Sequence, residues 1–158
     1  MLEPPSGTFD VTVPPGEPVQ AAVDRCPPGG CVLLLPGMHD GTLFLAADKV
    51  VHVIGRGRAT LRTATGTVVT SRAVMSTLDG LIIRHEEGLC GTWIRGGRLR
   101  LQACDITSAE PNFPCVFITS GADPVLVSCK CVLAPLFSAR PSSRVCERGE
   151  MRVCMYTP

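Results

Sequence analysis

"QACDITS", residues 102–108, has two relatives in the same chain: "LDGLIIR" at 78–84 before it and "VSCKCVL" at 127–133 after it. The cysteines keep the same beat. Cys129 lies 25 residues after Cys104, Cys154 lies 25 after Cys129, and Cys90 and Cys115 are also 25 apart. Counting back from Cys104 by 24 or 25 positions reaches Gly80 and then Gly55. A second segment recurs between these copies, as "GTVVTSR" (66–72), "GTWIRGG" (91–97) and "CVFITSG" (115–121). Self-similarity at a fixed period in the range of ~20–50 residues is the mark of a solenoid, in which each unit buries its apolar face only against its neighbours.

The local pattern selects the kind of solenoid. Each repeat holds two short β-rich pieces, "GTWIR" with "LRLQACDIT", then "CVFIT" with "PVLVSCKCV". Val, Ile, Leu and Thr dominate them with partial alternation, and Gly-Gly, Ser-Gly and Asp-Pro punctuate them. No stretch after residue 40 has helical periodicity, which argues against helical-pair and leucine-rich repeats. The expected fold is all-β: a right-handed, single-stranded parallel β-helix of about four to five coils of 24–25 residues.

Residues 1–40 read differently. "GEPVQAAVDRCPPGG" offers an acidic first turn, Val19, Ala22 and Val23 at helical spacing, and a Pro-Pro-Gly-Gly stop, and "CVLLLPGMHDG" follows as a buried strand and turn. A short helix here would cover one end of the coil stack, which otherwise exposes unpaired edges. The expected organisation is one β-helix domain over 1–158, with an N-terminal strand and capping helix in 1–40 and coils in 41–158. That reading leaves room for the chain being a fragment of a longer protein.

The nine cysteines are an odd number, and no Cys-x-x-Cys occurs. The histidines His39, His52 and His85 are scattered, so no zinc-type ligand set is visible and neither a metal nor a cofactor is expected. Equivalent residues of adjacent coils stack ~4.8 Å apart. Cys104 with Cys129, and Ile106 with Cys131, should therefore form inward ladders of small apolar side chains. Parallel side chains hold their Cβ atoms farther apart than the ~3.8 Å of a relaxed disulfide, so the thiols are expected reduced and mostly inaccessible. Cys26 and Cys31 bracket a turn and should come closest to pairing.

Composition excludes several classes. The net charge of +1 supplies no long-range field for nucleic acid or acidic membranes, although arginine provides 13 of the 15 basic residues and allows local anion patches. No apolar run reaches the ~18 residues that span a bilayer. "MLEPPSGTFD" has neither a basic nor an apolar signal region, so an intracellular, cytoplasmic location is the expectation.

"VQAAVDRCPPGGCVLLLPGMHDGTLFL", "VHVIGRGRATLRT", "LDGLIIRHEEG" and "ADPVLVSCKC" resemble the right-handed β-helix proteins related to pectin lyase over nearly all of residues 10–156. The resemblance is greatest to non-enzymatic members, the carbohydrate-binding and sugar-hydrolase type repeats found in some F-box proteins. It implies a non-catalytic module that presents an elongated β-helix face to a protein or glycan. The alternative it implies is a polysaccharide lyase or glycoside hydrolase. The lyases of that superfamily gather aspartates around calcium beside a basic residue, and the hydrolases use paired aspartates with a His and an Arg-x-Lys stretch. This chain has no Asp-Asp and no Arg-x-Lys, and Asp79, Asp105 and Lys130 fall on neighbouring coils without sharing one column.

Two constellations remain. "IIRHEEG" places Arg84, His85, Glu86 and Glu87 where a strand runs into a turn, and His85 with Glu86 is chemically able to act as an acid/base pair. A solvated turn with local ion pairs explains the same letters. Arg56, Arg58, Arg95, Arg98 and Arg100 fall on consecutive coils, where they could bind an acidic glycan or an acidic protein surface. Ordinary solubilising charge is the plain alternative. Trp93, the single tryptophan, aligns with Phe117 and Val69 and suits either a core position or a stacking surface. The expected ligand-binding set is Arg84, His85, Glu87, Trp93, Arg95, Arg98 and Arg100. Arg98, Asp123 and Arg148, spaced by 25, read as a charge ladder. The last coil, around "MRVCMY", is expected to pack on a second copy or on further coils, or to be covered by "RPSSRVCERGE".

Overall fold

The computed structural model describes residues 9–88, 90–109, 114–119, 121–133 and 153–156. In chain order the elements are β1 (Val11–Val13), α1 (Val19–Arg25), β2 (Gly30–Leu34), β3 (Gly37–Asp40), β4 (Leu43–Leu45), β5 (Val51–Gly55), β6 (Ala59–Thr63), β7 (Val69–Ser71) and β8 (Met75–Asp79). They continue as β9 (Ile82–His85), β10 (Thr92–Ile94), β11 (Arg98–Gln102), β12 (Asp105–Ser108), β13 (Val116–Thr119), β14 (Val125–Val127), β15 (Lys130–Leu133) and β16 (Val153–Tyr156). Three parallel sheets result. Sheet A runs β1-β2-β5-β8-β11-β14, sheet B runs β3-β6-β9-β12-β15, and sheet C runs β4-β7-β10-β13-β16. Each coil contributes one strand to each sheet, so the chain winds a parallel β-solenoid of five turns.

The coil thus has three strands, not the two read from the sequence. "LRLQACDIT" is two strands, β11 and β12, joined by Ala103 and Cys104. Ala103 has φ 49°, and the equivalent corners of the next coils hold Gly80 at φ 67° and Ser128 at φ 53°. One residue in the left-handed region turns the chain from sheet A to sheet B without interrupting the β-rich letters. In the sequence the inward alternation of Leu99 and Leu101 slips at Gln102–Ala103, where a bulge or corner is expected, and this turn is that corner.

Register fixes the ladders. In sheet A, Val11, Val32, Val53, Leu78, Leu101 and Leu126 stack in one inward column. In sheet B the column is His39, Leu61, Ile83, Ile106 and Cys131. In sheet C it is Leu45, Ser71, Ile94 and Ile118. The side chains from Val32 to Leu101, and those of Leu61, Ile83, Ile106, Leu45 and Ile94, are wholly buried. Burial at about 25 cal/mol per Å² of apolar surface is the main term holding such a stack together. Coil length varies between these markers, and the alignment from the letters shifts accordingly. Ile83 pairs with Ile106, so Cys104 stands above Leu81 and Gly80 stands below Ala103, one place from the Gly80–Cys104 match. Gly55 and Gly80 do stack, and a Cβ on Gly80 would lie 2.8 Å from the Gly55 carbonyl oxygen.

The lengths vary at one corner above all. Between sheets B and C the connection is 41–42 in the first coil, 64–68 in the second, 86–91 in the third and 109–115 in the fourth. Between sheets A and B it is two residues in each of the last three coils: 80–81, 103–104 and 128–129.

Helix α1 covers the N-terminal end. Val19, Ala22 and Val23 are buried, as their spacing predicts. The acidic first turn is absent: the helix begins after Pro18, so Glu17 precedes it, and no side chain caps it. Pro18 fits the start because the first helical amides need no intrahelical partner. Gln20 ties the helix to the first coil, accepting from the Phe44 amide at 2.7 Å and donating to the Phe44 carbonyl at 3.1 Å. "RPSSRVCERGE" and Arg148 lie outside the described residues, and so does the proposed covering of the last coil. Among the described residues no helix is long and apolar enough to cross a membrane.

Candidate functional site

The residues singled out from the sequence divide between two edges of the solenoid. Arg84, His85, Glu86 and Glu87 sit at the end of β9 and in the turn from sheet B to sheet C. Strand alternation separates them. Ile83 points in, so Arg84 points out and is exposed, and His85 points in and is wholly buried. The His85 Nδ1 lies 2.9 Å from the Ser108 Oγ on the next coil. His85 is therefore an interior residue, which corrects its place in the solvent-facing binding set and separates it from Glu86. Glu86 lies 3.9 Å from the Arg62 guanidinium, which also holds Asp40 at 2.8 Å. Asp40, hydrogen-bonded to Arg62, is the main reason the guanidinium is held above its ordinary pKa. Arg84 stacks directly on Arg62 in the ladder, and Glu87 is exposed.

The second edge is denser. It is the corner from sheet C to sheet A, residues 93–100, where β10 ends, Gly96 and Gly97 turn, and β11 begins. Trp93 is half-buried on the outer face of sheet C, in register with Phe117 above and Thr70 below. Val69 pairs with Thr92 instead, so the match of Trp93 to Val69 is off by one. The Trp93 and Phe117 rings meet edge to face at 5.9 Å, and the Arg95 guanidinium lies 4.5 Å over the indole. Such stacking holds a cation in place while leaving its N–H donors facing outward. Arg98 pairs with Asp123 at 2.7 Å, joining adjacent coils as the charge ladder requires. The Arg100 Nε donates to Gln102 Oε1 at 3.1 Å.

One member of this edge escaped the reading of the sequence. Arg72 is exposed and occupies the place equivalent to Arg95 one coil below, because Ile94 pairs with Ser71 and the Arg95 amide donates to the Ser71 carbonyl at 2.8 Å. Val74 and Met75 follow it with relative exposures of 64% and 47%. Of the two remaining arginines in the expected group, Arg56 stacks on Phe9 at 5.2 Å and Arg58 sits at the corner from sheet A to sheet B. Neither belongs to this edge.

On the outer face of sheet A, Asp79 is the one carboxylate carried by the described strands. Burial raises its pKa, and the charge of Arg100 offsets part of that rise. Asp105 lies in sheet B, paired with Lys130 and Ile82. Among the described residues no group of three or more His, Cys, Asp or Glu side chains is arranged to hold a metal ion.

Cys104, Cys115 and Cys131 are buried and Cys129 is half-buried; with Cys26, Cys31 and Cys90 they are free thiols. Burial first, and the Asp10 carboxylate second, raise both Cys26 and Cys31 above the ordinary thiol range. Cys154 pairs in register with Phe117.

Comparison with family models, with curated proteins and with solved structures finds no match to this chain.

Proposed function

We propose that this chain is a non-catalytic binding module of the pectin-lyase-like kind, whose ligand is an anionic glycan or an acidic protein surface. The observation that carries the reading is the corner between sheets C and A. Arg72 and Arg95 project from equivalent places on consecutive coils, Trp93 backs Arg95, and Arg98 and Arg100 continue the same edge. A row of arginines on rigid, stacked coils presents forked donors at fixed intervals to carboxylate, sulfate or phosphate groups. The enzyme alternative has less support: glycoside hydrolysis needs two carboxylates within ~10 Å free to act as acid and base, whereas Asp40 and Glu86, which come that close, both face the Arg62 guanidinium, and sheet A offers Asp79 alone among its described strand residues.

The test is binding of the purified chain to heparin, to polygalacturonate, to a neutral glucan and to poly-glutamate, each at two salt concentrations. Salt-sensitive binding to at least one polyanion is expected, with none to the neutral glucan. Arg95→Ala combined with Arg100→Ala should weaken it about tenfold or more, the scale of one lost charge-assisted hydrogen bond. Variants that bind like the parent would overturn the assignment of the edge. Polysaccharide turnover abolished by Glu86→Gln would overturn the non-catalytic reading.

A further inference from the structure

We propose that Cys104 and Cys129 form an oxidisable thiol pair, converted by a hydroperoxide into a disulfide that staples the fourth coil to the fifth. The two residues occupy the same corner of successive coils. Each directly precedes a strand, and those strands pair Asp105 with Lys130. The Lys130 amide donates to the Cys104 carbonyl at 2.9 Å. The sulfurs repeat one another's surroundings one coil apart. Cys104 Sγ donates to the Leu78 and Gln102 carbonyls at 3.4 and 3.3 Å, and Cys129 Sγ to the Leu101 and Val127 carbonyls at 3.3 and 3.5 Å.

Cys129 is the attacking group. It is half-buried, whereas Cys104 is 1% exposed. The neighbouring Cys104 thiol lowers the pKa of Cys129, while the Cys129 sulfur and burial raise that of Cys104. The reaction then runs in two balanced steps. The Cys129 thiolate attacks the outer oxygen of ROOH. The O–O bond breaks, RO⁻ leaves and takes a proton as ROH, and Cys129 becomes a sulfenic acid. The Cys104 sulfur attacks the sulfenic sulfur. The S–O bond breaks, and hydroxide leaves with the Cys104 proton as water. Two electrons pass from the two thiols to one peroxide.

Stacked neighbours ~4.8 Å apart lie inside the Cα range of disulfides, ~4.4–6.8 Å, and closing the bridge draws their Cβ atoms together by about 1 Å, toward the ~3.8 Å of a relaxed disulfide. A second pair serves as an internal control. Cys115 and Cys131 also shift one another's ionisation, but both are buried, at 0% and 5% exposure.

The experiment exposes the whole native chain to hydrogen peroxide, blocks remaining thiols under denaturing conditions, and digests with trypsin and with a protease cutting before aspartate. The bridge joins "LQAC" (101–104) to "DPVLVSCK" (123–130), leaving Cys115 in the separate piece 105–122. That linked pair should appear first, and Cys129→Ser should abolish it while leaving the far-ultraviolet spectrum unchanged. Trapping with a 1,3-diketone should find sulfenic acid on Cys129 in Cys104→Ala, a variant whose folding the same spectrum checks. A bridge from Cys115 to Cys131 forming first, sulfenic acid arising first on another cysteine, or no bridge while Cys129 is consumed would each overturn the proposal.

Discussion

Arg98 reaches one coil along the solenoid to Asp123, its Nη2 at 2.7 Å and its Nε at 3.1 Å from the same carboxylate oxygen. Both side chains are largely exposed, at 56% and 73%. A double-mutant cycle on Arg98→Ala and Asp123→Ala, read by urea denaturation, should give a coupling of about 0.2–1 kcal/mol. The coupling should shrink in molar salt.

The corner from sheet A to sheet B yields a pair of opposite outcomes. Ala103 sits at φ 49° and Gly80 at φ 67° in equivalent places. An alanine there is strained by about 1 kcal/mol. Ala103→Gly should therefore leave thermal stability unchanged or raise it slightly, after the added chain entropy is counted. Gly80→Ala adds the same strain and drives its Cβ to 2.8 Å from the Gly55 carbonyl oxygen. Its melting temperature should fall clearly. A fall for both variants would show that the turn does not govern this corner.

Leu101 is wholly buried between Leu78 and Leu126 in the sheet A column. Leu101→Ala removes packing from both neighbours, and a stack cannot collapse around the gap without losing register. A loss of about 3 kcal/mol or more is expected in chemical denaturation.

Alkaline pH should weaken the fold. Burial pushes the Cys90 thiol from 9.0 up to about 11, so the unfolded chain ionises first. In that interval the folded state binds more protons than the unfolded one, and stability must fall as pH rises. The effect is complete once pH passes the folded value and absent below about 8. Comparing the denaturation midpoints of the parent chain and Cys90→Ala from pH 8 to 11 checks it. The slope should be shallower in the variant.

The ladder between Arg98 and Asp123 was legible in the sequence because stacked coils demand compatible residues at a constant interval. The β-solenoid was legible for the same reason, and so was the helix that buries Val19, Ala22 and Val23. The third strand was not. A single left-handed residue such as Ala103 makes the corner, and the slip in alternation at Gln102–Ala103 marks a kink without telling a bulge from a change of sheet. Aligning Gly80 with Cys104 failed because both are small, while the register follows Ile83 and Ile106. At the candidate edge, Trp93, Arg95, Arg98 and Arg100 were visible as neighbours in the chain. Arg72 was hidden because its coil is shorter than 25 residues, so fixed spacing passes over it. His85 was misplaced by reading "RHEE" as one polar turn. Alternation from Ile83 already sends it inward.

The uneven corner between sheets B and C has a practical side. The connection lengthens from 41–42 to 109–115 while the ladders on either side keep their pairing. Chain length is therefore uncoupled from pitch most freely along that margin. A foreign segment spliced at 64–66 would hang from the side of the spiral as a passenger. The same splice at Ala103 would have to break the winding itself.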